Sequence, residues 1–303
     1  MAVLPRRALQ QTFTAFRRKE TLILSGETNK VFFSAHLKAD YPVFFRRIAS
    51  VLARYGIAVD LLEDTADYWC RDYMPIQVGT DRFVKYRYSP DYLDDPALRC
   101  YVTNVDKAIG QLGITPNKMF DLEGIVLDGG NVVKTPFHVI MTEKVFVENP
   151  DIGRLRLISR LENAFQAEIV IVPWANRRED PCGHTDGMVR YVKGRELLLD
   201  NYSRFDLSTG KRIRRVLEGK GYVVHELDIS YAVNNSWAYV NFLQTANVIV
   251  VPRLGIAADQ LVYNQLRSLF NVPVEPIPAP GIIRKYGGAF NCLSWNIKTA
   301  CQR

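Results

Sequence analysis

Five short polar stretches interrupt a sequence that is nearly half hydrophobic: WCRDYMP at 69–75, DGGN at 128–131, CGHTDG at 182–187, YVN at 239–241 and GGAFNC at 287–292. Between them they hold a thiol (Cys292), an imidazole (His184) and the carboxylates of Asp72, Asp128 and Asp186. A thiolate is the strongest nucleophile a side chain offers. An imidazole moves protons near neutral pH, and carboxylates grip planar cations in bidentate fashion. Taken singly, each residue has a plainer explanation. A cysteine is more often buried and inert, a lone histidine is usually structural, and Asp72 beside Arg71 could form a structural ion pair. The spacing argues otherwise. Asp72, Asp128, His184, Asn241 and Cys292 follow one another at steps of 56, 56, 57 and 51 residues, a regularity that scattered polar residues have no reason to keep.

The elements around these stretches recur at a similar period. Helical spacing of apolar residues is found in 40–55 (Phe45, Ile48, Leu52, Tyr55), 151–165 (Leu155, Ile158, Leu161, Phe165) and 258–270 (Val262, Leu266, Leu269), with a basic helix at 207–219 and a weaker one near 104–112. A strand-like run follows each helix: IAVDLL, NKMFDL, EIVIVP, YVVHEL and PVEPIP. VFFSAH, GMVRYV, ELLLDN, AYVNFL and VIVVP read as strands before the helices. Five copies of a strand–strand–helix–strand unit, about 55 residues each, cannot bury their apolar faces alone and must pack side by side. Closed into a ring, they would bring equivalent loops together on the axis, one polar stretch from each.

Composition sets the outer limits. The chain has 303 residues, 48% hydrophobic and 23% charged, enough for a sizeable core and too apolar for disorder. One catalytic domain over 1–303 is expected, with residues 1–19 as a basic N-terminal extension. The net charge of +7 is spread along the chain, so nucleic acid is not an expected partner, and KRIRR at 211–215 reads as a solvated helix face. No CxxC pair occurs, and Cys182 with His184 makes a poor zinc site, so no metal and no cofactor are expected. The cysteine usage suits a reducing, cytoplasmic setting. With no secretory leader and no long apolar run, neither export nor membrane association is expected.

In this order, W-x-R-D, GGN, G-H-x-D, V-N and G-G-x-x-x-C resemble the guanidino-group-modifying enzymes of the pentein superfamily, and within it the agmatine deiminase and Porphyromonas-type peptidylarginine deiminase family. The resemblance runs over roughly residues 20–298. It implies an α/β fold, a five-bladed pseudo-symmetric propeller of ββαβ repeats, in agreement with the repeat spacing. It implies that Cys292 is the nucleophile, that His184 is the general acid and base, and that Asp72 and Asp186 grip the guanidinium and set its carbon against sulfur. Trp69 would stack on the substrate or serve as a core side chain, and Asn241 would orient it. Asp128, Gly129, Gly130 and Asn131 form a supporting turn, and Gly288 belongs to the turn before the nucleophile. Glu143, in a TE…NP stretch, would either orient His184 or be structural.

The implied activity is hydrolysis of agmatine to N-carbamoylputrescine and ammonia through a Cys thiouronium, a step of putrescine and polyamine metabolism. The implied partner is therefore a small cationic guanidino substrate, and a homodimer is allowed. The alternatives are a peptidyl- or free-arginine deiminase giving citrulline, an amidinotransferase, and a non-catalytic pentein binding protein. Arg87, Arg99 and Arg190 are candidates to meet an arginine carboxylate. Two departures bear on substrate: Asn291 stands where agmatine deiminases carry His, and RDYMP stands where they carry RDxGP.

Overall fold

The computed structural model describes residues 21–174, 180 and 182–300. The expected N-terminal extension, 1–19, lies outside the described residues. In the first sheet β1 (Lys30–Ser34) runs parallel to β2 (Ala58–Leu62). The second pairs β3 (Ile76–Gly79) antiparallel with β4 (Arg82–Arg87), and β4 parallel with β5 (Met119–Val126). The third repeats this with β6 (Val133–Lys134), β7 (His138–Thr142) and β8 (Glu168–Val172). The fourth uses β9 (Val189–Lys193), β10 (Glu196–Leu199) and β11 (Val223–Glu226). The fifth uses β12 (Leu243–Gln244), β13 (Ile249–Arg253) and β14 (Val274–Pro278). The antiparallel partner missing from the first sheet is β15 (Ser294–Ile297), which pairs with β1 from the far end of the chain.

Parallel strands cannot be joined by a tight turn. In every sheet a helical crossover links the middle strand to the third: Pro42–Arg54, Val105–Gly110, Arg154–Phe165, Leu207–Gly219 and Ala258–Leu269. Their starts follow local chemistry. Pro42 opens the first, where a missing N–H costs nothing. Asn104 and Asp206 side chains accept from the backbone N–H of Lys107 (3.1 Å) and Thr209 (3.0 Å). The five sheets are thus copies of one ββαβ unit, the repeat expected from the spacing, with the first closed by the last strand. Among the described residues no helix is long and apolar enough to cross a membrane.

Three details differ from the sequence reading. In Arg154–Phe165 the buried face is Leu157, Leu161, Ala164 and Phe165, while Leu155 is 89% exposed. Leu155 lies two residues before Leu157, roughly 200° around the helix. In Pro42–Arg54 the inner positions are Phe44, Ile48, Val51 and Leu52, and Phe45 and Tyr55 are only half-buried at the core's edge. AYVNFL is not one strand: Trp237–Val240 is a helical turn, and β12 begins only at Leu243. Ala238, Tyr239, Val240, Phe242 and Leu243 are all buried, so the run has no polar face whose period could separate turn from strand.

Every polar stretch sits just ahead of the first strand of a unit. Asp72 precedes β3, Asp128–Asn131 precede β6, His184–Asp186 precede β9, Asn241 precedes β12, and Cys292 precedes β15.

Candidate active site

These five loops meet in one buried cluster. The turn that carries Cys292 is held by its neighbours' backbone and side chains. Asn241 Oδ1 accepts from the N–H of Ala289 (3.1 Å) and of Cys292 (3.2 Å), and its carbonyl accepts from Asn291 N (3.0 Å). Arg71 adds two ties: its N–H donates to the Cys292 carbonyl (3.1 Å), and its Nε to the Asn291 carbonyl (3.3 Å). Gly288 packs against Trp69 so closely that an added Cβ would lie 2.3 Å from the indole ring. Trp69 is half-buried and packs against the core, so it serves both as wall and as filler.

Cys292 is 7% exposed, and its Sγ lies 3.6 Å from Asp186 Oδ2. Asn291 Nδ2 donates to the same oxygen at 2.6 Å. Asp186 Oδ1 is buried and has no hydrogen-bond partner. Burial pushes the Cys292 thiol well above its ordinary range, and the charges of Asp186 and Asp72 push it further.

His184 lies between two carboxylates. Nε2 is 2.9 Å from Asp128 Oδ2, and Nδ1 is 3.5 Å from Asp72 Oδ1. Burial alone would lower its pKa, but Asp72 and Asp128 more than reverse this, to about 9. Asp72 moves the other way: burial, with Asp128 and Asp186 nearby, raises its carboxyl to about 7 despite the His184 charge. Asp128, though fully buried, stays below the usual carboxylate range because His184 and Lys144 hydrogen-bond to it. The Gly129–Gly130 turn lets these groups approach. Gly130 N–H donates to Asp72 Oδ1 (3.0 Å), and a Cβ at Gly130 would lie 2.6 Å from both that oxygen and His184 Nδ1. At Gly129 it would meet the Arg71 carbonyl at 2.1 Å. Asn131 faces inward to the scaffold, accepting from Thr142 N (2.9 Å) and Thr185 Oγ1 (2.8 Å).

Cys292, His184, Asp72, Asp186, Asp128, Gly129, Gly130, Asn131, Asn241, Trp69 and Gly288 are thus brought together. Glu143 is not. It lies beside Phe146, Asn149 and Arg154, and its neighbour Lys144 takes the inward place. Fully buried, Lys144 Nζ meets Asp128 Oδ2 at 2.8 Å, Glu148 Oε1 at 2.9 Å and Asp91 Oδ1 at 3.1 Å. The competing reading of Asp72, an ion pair with Arg71, is not what forms: Arg71 instead bonds to the Asn291 carbonyl and to Asn296 Oδ1. Tyr92, missed in the sequence, stands edge-on to His184 with ring centroids 6.0 Å apart. A Lys and a Glu four residues apart, flanking an apolar VFV, was the one sequence sign of the buried Lys144–Glu148 pair. Nothing in the sequence marked Tyr92.

Residues 11–297 match the Porphyromonas-type peptidyl-arginine deiminase family. No curated protein matches the sequence. Solved structures do resemble this one. An agmatine deiminase from C. jejuni is 16% identical with a TM-score of 0.73, over 93% of this chain and 97% of that one. The agmatine deiminase of Enterococcus faecalis is 16% identical with a TM-score of 0.72, over 92% and 96%. A DDAH from Pseudomonas aeruginosa, at 14% identity, gives a TM-score of 0.62 over 89% of this chain and the whole of that one. At these identities the structural likenesses bear on the fold alone. The match over residues 11–297 goes further, and the chain belongs to the Porphyromonas-type peptidyl-arginine deiminase family.

Proposed function

We propose that the protein is a hydrolytic deiminase of a guanidino substrate, with agmatine as that substrate. The observation that carries the reading is a buried thiol 3.6 Å from a carboxylate whose second oxygen has no partner, with a doubly carboxylate-bound histidine in the same cluster. A guanidinium is a planar cation with paired donors, and Asp186 and Asp72 offer the matching acceptors. Its charge replaces the missing positive charge beside Cys292, so the thiol releases its proton to solvent as substrate seats. The thiolate then attacks the central carbon. His184, protonated at rest, gives its proton to the departing ammonia and leaves a Cys292 thiouronium. His184 next takes a proton from water, hydroxide adds to the same carbon, and as the carbon–sulfur bond breaks the adduct's hydroxyl proton passes to the departing sulfur, giving the ureido product and the free thiol.

The agmatine deiminase neighbours support agmatine. So does the place of Arg190: it lines an axial cavity whose lining excludes Cys292, His184 and Asp72, while Arg87 and Arg99 are exposed. The family's description favours a second reading, peptidyl-arginine. Ammonia release over agmatine, free arginine and arginine peptides separates the two. Agmatine should give the highest kcat/KM by about 10-fold or more, roughly 1.4 kcal/mol of transition-state preference. Release from peptides alone would hand the substrate to the second reading, and no release from any of them would end the deiminase assignment.

The titrating groups also predict a pH profile. Asp72 must be ionised to hold the cation, so activity should rise as pH passes about 7. His184 must be protonated to release ammonia, so it should fall as pH passes about 9. The two limbs of a bell-shaped kcat/KM report the Asp72–His184–Asp128 set as a unit. Asp128→Asn should move the upper limb downward, since it removes a charge that holds the imidazolium. An upper limb unmoved in that variant would dissociate His184 from the profile.

A further inference from the structure

The five first strands line a second, separate feature. β3, β6, β9, β12 and β15 each put one polar side chain into a common cavity: Gln77, Lys134, Arg190, Gln244 and Asn296. Arg71 adds a third cation. The cavity adjoins the active site through Asn291 but does not include its thiol, imidazole or carboxylates. Among the described residues no Asp or Glu lines it.

The amides in this ring are used, but the cations are poorly matched. Asn296 Nδ2 donates to Thr28 Oγ1 (2.7 Å) and to the Gln244 carbonyl (2.9 Å), and Gln77 exchanges two bonds with the Lys298 backbone (2.9 and 2.7 Å). Arg190 is 4% exposed, stacks over Phe242 at 4.6 Å, and has a buried Nη2 without a hydrogen-bond partner. Lys134 donates to a backbone carbonyl, that of Gln77. Three carboxylates lie within electrostatic reach, of which Asp72, acting on Arg71, already accepts from Gly130 N–H. Asp186 is engaged by Asn291 and faces the thiol, and Glu27 is bound by Lys298 Nζ (3.0 Å) and Leu24 N–H (2.9 Å). Among the described residues, one buried and two half-buried cations thus face no carboxylate in the cavity itself. Burial, and then the charge of Arg71, draw Lys134 down to about 7 against the opposing pull of Glu27.

We propose that this axial cavity binds one small inorganic anion of the halide class, held by Arg71, Lys134 and Arg190. Its volume, ≈ 40 Å³, admits a single small ion or a few waters and excludes anything the size of a nucleotide. Water can satisfy an orphan N–H, but it does not offset like charges gathered around one small cavity; an anion does both. Through Arg71, which also bonds to the carbonyls of Asn291 and Cys292, the anion braces the nucleophile turn from behind.

The test uses the full chain. Crystals grown in bromide should show an anomalous peak between Lys134 and Arg190. In solution, replacing gluconate by chloride at constant ionic strength should raise Tm saturably, because gluconate is too large to enter. That saturable rise should be lost in Lys134→Met. A wild-type cavity holding only water in the bromide map overturns the site, as does an equal chloride-dependent rise in folded Lys134→Met. If that variant does not fold, the wild-type bromide map decides alone. Neither readout uses turnover, so the anion site stands or falls separately from the deiminase reading.

Discussion

Cys292→Ser should abolish ammonia release and leave the fold intact. The turn that presents residue 292 is held by backbone groups, through Asn241 Oδ1 and the Arg71 N–H, and none of these bonds uses the sulfur. Serine is close in size, and its hydroxyl can occupy the same pocket beside Asp186. What it cannot do is ionise there. An approaching guanidinium can offset the burial and carboxylate charge that oppose the thiolate, but a hydroxyl starts several pKa units higher and is intrinsically the weaker nucleophile in this setting. The expected loss in kcat is about 10³-fold or more, roughly 4 kcal/mol. Substrate binding, measured by calorimetry, should remain near wild type because both gripping carboxylates remain. A folded variant that keeps more than a few per cent of wild-type turnover would remove Cys292 from the mechanism.

Asp186→Asn should have the second-largest effect, in two opposite directions. This carboxylate places one oxygen 3.6 Å from the sulfur, and its other oxygen is buried and unpartnered. Without its charge the guanidinium loses a bidentate partner in a low-dielectric site, where such pairs are worth several times their value in water. The plane is also free to tilt away from the nucleophile. We expect kcat/KM to fall by at least ~10²-fold, about 2.7 kcal/mol. In the free protein, the same charge is one of the causes that raise the thiol. Removing it should lower the thiol pKa and speed alkylation of the Cys292 peptide, read by mass spectrometry at fixed pH. Turnover falls while alkylation rises. A residue that merely kept the loop in shape would depress both. Turnover within threefold of wild type would deny Asp186 any part in holding the cation.

Much of this arrangement was legible in the sequence because it repeats. A step of 51 to 57 residues between Asp72, Asp128, His184, Asn241 and Cys292 is a property of the chain. The fold converts it into proximity by placing each residue ahead of an equivalent strand. What escaped was set by orientation within an element. Glu143 and Lys144 are neighbours, and which one turns inward depends on how the 144–147 turn leaves β7, a matter of backbone angle that residue type does not encode. Lysine is also among the last residues expected at full burial. Its presence there is explained by three carboxylates, two of which, Asp91 and Asp128, come from other loops. Leu155 failed for the opposite reason: its hydrophobicity was read as burial, yet helix phase puts it in solvent.

The pairing of β15 with β1 carries a last consequence, for how the protein comes to be active. Asn296 hydrogen-bonds to Thr28, 268 residues away, and Cys292 sits just ahead of the strand that makes this long-range contact. Such a closure is costly in chain entropy and late in folding, since it must wait for the intervening units to shorten the effective loop. Until the clasp is fastened, the thiol is not seated over the carboxylates, and the edge of β1 stays open to foreign strands. On the proposed mechanism, catalytic competence would then be a certificate of completed assembly: a chain left unlatched would be inert as well as sticky. Turnover per molecule would report the fraction of chains that have closed.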